Sequence, residues 1–139
     1  VKSSVVDIHL DVLAENLGAL RSALGPPTEV VLVVKADAYG HGLAPVVRQA
    51  TACGVRWFAV AYLHEALAVR EVAPNAEVII LGAVEPGDVP VLAEHRILPV
   101  IVSEEHGQLL AGAAQQSGCR LNAHLKIDTG MGRFGLAWS

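Results

Sequence analysis

The chain has 139 residues, of which 53% are hydrophobic and 17% charged, a composition suited to a packed core and not to a disordered segment. Fourteen acidic against ten basic residues give a net charge of −4, and with no long basic run and only 4% aromatic residues, neither a nucleic-acid surface nor one for anionic membranes is expected. No run approaches the ~20 apolar residues of a membrane span, and Val1 to Leu10 carries Asp7 and His9 where a signal peptide would be apolar, so a cytoplasmic location is expected.

In chain order, Val6, Ile8 and Leu10 form a period-2 stripe that predicts an opening strand within residues 1–10. Leu13, Leu17, Leu20 and Leu24 recur at spacings of three and four and predict a helix over Asp11 to Leu24, with Asp11 as N-cap and Gly25-Pro26-Pro27 as the stop. Beyond it, short apolar runs alternate with helical patterns. Strands are predicted at Val30 to Lys35, Trp57 to Ala61, Val78 to Leu81, Leu98 to Val102 and Leu121 to Ile127. Helices are predicted at Leu43 to Ala52, Leu63 to Val72, Val89 to Glu94 and Glu104 to Gln116, punctuated by Gly54, Pro74, Gly82, Pro86 and Gly118. A strand-to-strand spacing of about twenty residues is that of consecutive βα units on a parallel sheet. The expected fold class over residues 11–139 is therefore α/β, an incomplete (β/α)8 TIM barrel of about five βα units, because a complete barrel takes ~250 residues. The opening strand lies outside that series.

Chemistry concentrates at two strand ends. In Val33-Val34-Lys35-Ala36-Asp37-Ala38-Tyr39-Gly40-His41-Gly42, Lys35 leaves an apolar run and enters a glycine-punctuated turn, at the end of the strand where βα barrels place their catalytic groups. An amine approached by apolar residues can act as a nucleophile toward a carbonyl, because desolvation favours its neutral form. In His124-Leu125-Lys126-Ile127-Asp128-Thr129-Gly130-Met131-Gly132-Arg133-Phe134-Gly135, Lys126 leaves the last strand and Arg133 follows a double-glycine turn that permits a return to the same rim. His41, with a glycine on each side, reads as a turn residue, and the phosphate-accepting potential of a helix starting after Gly42 is a weak signal. Cys53 and Cys119 stand apart, each beside a glycine at a helix end, and read as structural thiols. The histidines form no ligand box, so no metal site is expected.

The first of these segments closely resembles the pyridoxal phosphate lysine motif of bacterial alanine racemases. The second resembles the same family's later lysine and arginine, and Phe58-Ala59-Val60-Ala61, Glu65-Ala66, Leu81-Gly82-Ala83 and Pro86 match its second and third βα units. Asp37 stands where many members carry asparagine, which keeps a short polar group in the turn. The resemblance implies interconversion of L- and D-alanine through a Schiff base between Lys35 and pyridoxal 5'-phosphate, with Lys35 also serving as one of two bases. It assigns the cofactor phosphate to Tyr39 together with later backbone donors, a place in the cofactor site to Leu81, and the cofactor's phenolic oxygen and the substrate to Arg133. Lys126 matches a lysine that is typically carbamylated (N6-carboxylation). A planar carbamate suits a guanidinium fork, whereas an ammonium would repel it. The family acts as a homodimer in which a tyrosine from the second subunit is the opposing base. The chain is thus expected to be the N-terminal part of such a racemase and inactive in isolation. A related barrel enzyme on the same cofactor, such as a serine or broad-spectrum racemase, and a non-catalytic half-barrel remain as alternative readings.

Overall fold

The computed structural model describes residues 4–138. Residues 4–9 form no strand, Val5 and Val6 are exposed, and Leu10 is the first residue of helix α1 (Leu10–Leu24). The expected opening strand is thus not formed over the described residues, and its first three positions lie outside them. An alternating stripe becomes a strand only where another strand supplies ladder partners, and among the described residues no strand pairs with it. Asp11 sits inside the first turn of α1, while His9 takes the N-cap position without a side-chain hydrogen bond. A first-turn carboxylate still meets the positive end of the helix dipole. Leu17 is buried against α2 (Leu43–Ala52), and the helix ends at Gly25, whose φ of +67° only glycine adopts cheaply.

Five strands, β1 (Val31–Val33), β2 (Trp57–Val60), β3 (Glu77–Ile80), β4 (Ile97–Ile101) and β5 (His124–Leu125), form one parallel sheet in sequence order. Between them run α2, α3 (Leu63–Val72), α4 (Val89–Glu94), entered through a 3-10 turn at Pro86–Asp88, and α5 (Glu104–Gln116). This is the α/β arrangement expected, an arc of a βα barrel. Strand residues divide by parity. Phe58, Val60, Val78, Ile80 and Ile97 face the helices in the main core, whereas Ala59, Ile79 and Val100 form a second cluster with Val33, Trp57, Leu98 and Val102 on the other face. The register sets Ala59 beside Ile79 and Phe58 beside Val78, so each layer is continuous across strands. Each fully buried aliphatic or aromatic side chain contributes about 1.5–3 kcal/mol. Cys53 and Cys119 are free thiols packed against the main core.

At the strand starts, the Arg70 guanidinium donates to the carbonyls of His95 (2.9 Å), Pro74 (2.9 Å), Ala76 (2.6 Å) and Arg96 (3.0 Å), tying the entries of β3 and β4 together. Burial, then the neighbouring Arg96, lowers its pKa from the ordinary arginine value, and Glu77 opposes them.

β1, β2 and β5 are shorter than expected, whereas β3 and β4 keep their expected lengths and start one residue earlier; single ladder bonds extend β1 and β3. Val34 N–H donates to Ala59 O at 2.8 Å and Leu81 N–H to Val60 O at 2.8 Å. The run expected at Leu121 to Ile127 divides. His124 and Leu125 pair with β4, while β6 (Ile127–Asp128) leaves the large sheet and pairs with β7 (Leu136–Ala137). Lys126 is the pivot: its N–H donates to Ile101 O at 3.0 Å and its carbonyl accepts from Leu136 N–H at 2.8 Å.

Candidate active site

All strands of the main sheet point the same way, so the segments leaving their C-terminal ends share one rim. Lys35 opens that rim immediately after buried Val34. The next four residues are helical in the left-handed sense: Ala36, Asp37, Ala38 and Tyr39 have φ between +52° and +56° and ψ between 36° and 52°. Non-glycine residues pay about 1–2 kcal/mol each for this conformation. Four in succession hold it only because the surroundings determine it. Ala38 is buried, its N–H donates to Val34 O at 2.9 Å, and its carbonyl accepts from His41 N–H at 3.1 Å and from His41 Nδ1 at 2.8 Å. His41 is thereby a turn-closing residue, as the flanking glycines suggested, with Nδ1 the protonated nitrogen.

Two carboxylates fix the ends of the turn. Asp37 Oδ1 accepts from Leu43 N–H, the first amide of α2, at 2.6 Å, while the Asp37 carbonyl accepts from Gly42 N–H at 2.9 Å. Its short side chain therefore caps a helix six residues further on, and that first amide is already engaged. At the other end, Glu65 Oε1 accepts from Ala36 N–H at 2.6 Å and Oε2 accepts from Ala61 N–H at 2.8 Å and Tyr62 N–H at 3.1 Å. Glu65 is the buried charged residue of the described chain, 8% exposed. In the sequence Glu65 stands out only within the resemblance. The signal available was a glutamate in the first turn after a strand, where carboxylates satisfy free helix amides.

The left-handed turn returns Tyr39 toward Lys35, placing its ring centre 6.0 Å from Lys35 Nζ, at the outer limit of a cation–π contact. Tyr39 is 58% exposed, and among the described residues neither its hydroxyl nor Lys35 Nζ is held by a side-chain hydrogen bond or an ion pair. Leu81 lies one residue beyond β3, partly exposed, and Gly82 follows it.

Lys126 is half-buried at the end of β5, and Arg133 is exposed in the loop joining β6 to β7. That loop is pinned at its base by Gly130 N–H donating to Asp128 Oδ1 at 2.9 Å and at its exit by Gly135 N–H donating to Val102 O at 3.0 Å. The Gly130 amide, opposed by desolvation and aided by the amides of Gly132, Met131 and Arg133, holds the Asp128 carboxyl below the usual aspartate range. Gly135 is required: with φ at +126°, a Cβ would stand 2.8 Å from Asp128 N and 3.1 Å from Lys126 O. The structure therefore brings Lys35 and Tyr39 together and sets Lys126 at the end of β5 and Arg133 in the loop between β6 and β7. No side-chain bond joins Arg133 to Lys126 among the described residues, as expected of two cations with no acceptor between them. An apolar groove of about 430 Å³ lies elsewhere, bounded by Ile8, Leu13, Leu32, Ala38 and His41, and none of Lys35, Tyr39, Leu81, Lys126 or Arg133 lines it.

A family model described as "Alanine racemase, N-terminal domain" matches residues 8–139. The alanine racemase of Synechocystis is 38% identical over 134 residues, which is 96% of this chain and 36% of that protein. Among solved structures, alanine racemase from Streptomyces coelicolor A3(2) aligns with a TM-score of 0.84 at 34% identity, covering 94% of this chain and 35% of that one. Alanine racemase from Bartonella henselae with covalently bound pyridoxal phosphate aligns with a TM-score of 0.86 at 29% identity, covering 94% of this chain and 38% of that one. The chain spans roughly a third of the length of the curated relatives it matches, 34–36% for two of them. Together with the rim just described, these matches establish that the chain belongs to the alanine racemase family, to the part that the family's N-terminal domain describes.

Proposed function

We propose that this chain carries the cofactor-lysine side of a pyridoxal-phosphate-dependent racemase site acting on alanine. The observation that carries the reading is Lys35 at the C-terminal end of β1, followed by a left-handed turn that returns Tyr39 to within 6.0 Å of its Nζ. The donors fit a phosphorylated aldehyde. Lys35 offers an amine at the rim, Tyr39 an exposed hydroxyl to donate to phosphate, and the first amide of α2 is excluded as a phosphate donor because Asp37 occupies it.

When bound, that cofactor supplies an electron sink that makes the α-carbon proton of an amino acid acidic. Lys35 then has two tasks: attachment through Nζ, and carrying a proton at Nζ on one face of the substrate. The Tyr39 hydroxyl holds phosphate, and Leu81 supplies an apolar wall. Arg133 donates its planar fork to the phenolic oxygen and to the substrate. Lys126, converted by carbon dioxide to a carbamate, supplies the acceptor oxygens that orient Arg133. A tyrosine of a second subunit in a homodimer handles the proton on the opposite face, the role the resemblance implies.

Loading the protein that carries this chain with pyridoxal phosphate, reducing with borohydride and mapping peptides tests the assignment. The expected label is on Lys35 and is lost in Lys35→Ala. Label on Lys126 instead overturns it. A coupled D-alanine assay tests the reaction, with Lys35→Ala expected to lose about 10³-fold or more in turnover.

A further inference from the structure

We infer that Glu65 is a positioning residue for Lys35, acting through the backbone of Ala36; the inference rests on the reading of Lys35 as the cofactor lysine. A first-turn glutamate that only capped α3 would need the amides of Ala61 and Tyr62, and Oε2 takes both. Oε1 serves a different segment, since its bond to Ala36 N–H is the shortest of the three at 2.6 Å and crosses 29 residues from α3 to the exit of β1. Ala36 is the first residue of the left-handed turn and is itself exposed, so no packing of its side chain fixes its φ of +52°. The Glu65 bond does. The peptide linking Lys35 to Ala36 is thereby held, and with it the direction in which the Lys35 side chain leaves the strand.

The charge is also in place for this task. A carboxylate that is 8% exposed is stable only with its oxygens satisfied, and three backbone amides satisfy these. Removing the Ala36 donor from such an anion is costly, so the turn and the glutamate hold each other. The same side chain joins the exits of β1 and β2, so two neighbouring βα units present their rim segments as one body.

Glu65→Gln separates the two roles. Its single carbonyl oxygen can keep the paired Ala61 and Tyr62 amides, which turns its NH2 group toward Ala36 N–H, donor against donor. In the protein that carries this chain, without cofactor, amide exchange at Ala36 is expected to quicken by about tenfold or more, while the Ala61 and Tyr62 amides keep their protection. Acetylation of Lys35 by acetic anhydride, measured against Lys35 of the unsubstituted protein, is expected to change by roughly threefold or more, and the rate of pyridoxal phosphate trapping at Lys35 by borohydride to fall about tenfold. Unaltered Ala36 exchange and Lys35 reactivity in a folded Glu65→Gln protein would overturn the proposal. Glu65→Asp, which keeps the charge but falls short of Ala36, is expected to give the same pattern. The unsubstituted protein offers a check that needs no variant, since an Ala36 amide exchanging at the unprotected rate also overturns it. If the unsubstituted protein takes no cofactor on Lys35, the functional reading fails, while the exchange and acetylation measurements still decide the role of Glu65.

Discussion

Gly82 passes so close to Ala61 that a Cβ at position 82 would stand 2.5 Å from the Ala61 carbonyl oxygen. Both residues lie on rim segments, just beyond β3 and β2, and the obstructing atom is backbone that cannot rotate away. Gly82→Ala must therefore push the two segments apart, and Leu81 moves with them. The expected cost is about 1–3 kcal/mol in denaturant unfolding, the usual range for an overpacked position. A variant as stable as the unsubstituted chain shows that the two segments separate without cost.

Asp37 offers a second test at the rim, because its side chain and its backbone serve the same turn. Asp37→Ala removes the acceptor of the Leu43 amide and places an alanine in the left-handed region, with an expected loss of about 1–2 kcal/mol. Asp37→Asn keeps an oxygen acceptor and a residue that tolerates positive φ, so its expected cost is only a few tenths of a kcal/mol. Equal losses in the two variants, read from urea unfolding midpoints at constant slope, argue against the cap.

The order of strands and helices was legible because alternating apolar runs and three-to-four spacings report burial directly, and Val78 and Ile80 face the main core as their pattern requires. Lys35, Tyr39, Lys126 and Arg133 were legible as residues on a rim. Their supports were not. Ala36 to Tyr39 carry no glycine, so nothing in local propensity announces a left-handed turn, and the turn is held by a carboxylate 29 residues away. The division at Lys126 was hidden for a similar reason, since the partner that draws β6 from the sheet is Leu136, beyond a loop whose return depends on Gly135. The stripe at Val6 and Ile8 shows the converse: a pattern fit for a strand forms none where, among the described residues, no strand pairs with it.

The loop that carries Arg133 has a definite response to acid. Hydrogen bonds, first from the Gly130 amide, depress the Asp128 pKa, so the ionised form is favoured in the folded loop. The contribution is fully present above the unfolded aspartate value, and it is lost as pH falls through the lower folded value. The loop should therefore keep its base through the ordinary carboxylate range and loosen only in stronger acid. Carboxyl NMR should place the Asp128 midpoint below that of an unstructured aspartate, with the Gly130 amide shift following the same curve. Asp128→Asn removes that titration. A Gly130 amide that titrates with an ordinary aspartate midpoint contradicts the assignment.

Ala36→Gly tests whether the left-handed turn stores strain. Ala36 is exposed and has φ +52°, a conformation that costs an L-residue about 1–2 kcal/mol and glycine almost nothing. Glycine also loses more freedom on folding, roughly 0.5–1 kcal/mol relative to alanine. The two effects oppose each other, and the strain is the larger, so the expected outcome is a chain as stable as the unsubstituted one or more stable by up to about 1.5 kcal/mol. The backbone amide at position 36 remains available to Glu65, which keeps Lys35 in place and distinguishes this variant from any change at Glu65 itself. Thermal and denaturant unfolding measure the balance. A loss of about 0.5–1 kcal/mol shows that position 36 does not sit in the left-handed region, since that is what a right-handed or extended alanine loses on becoming glycine.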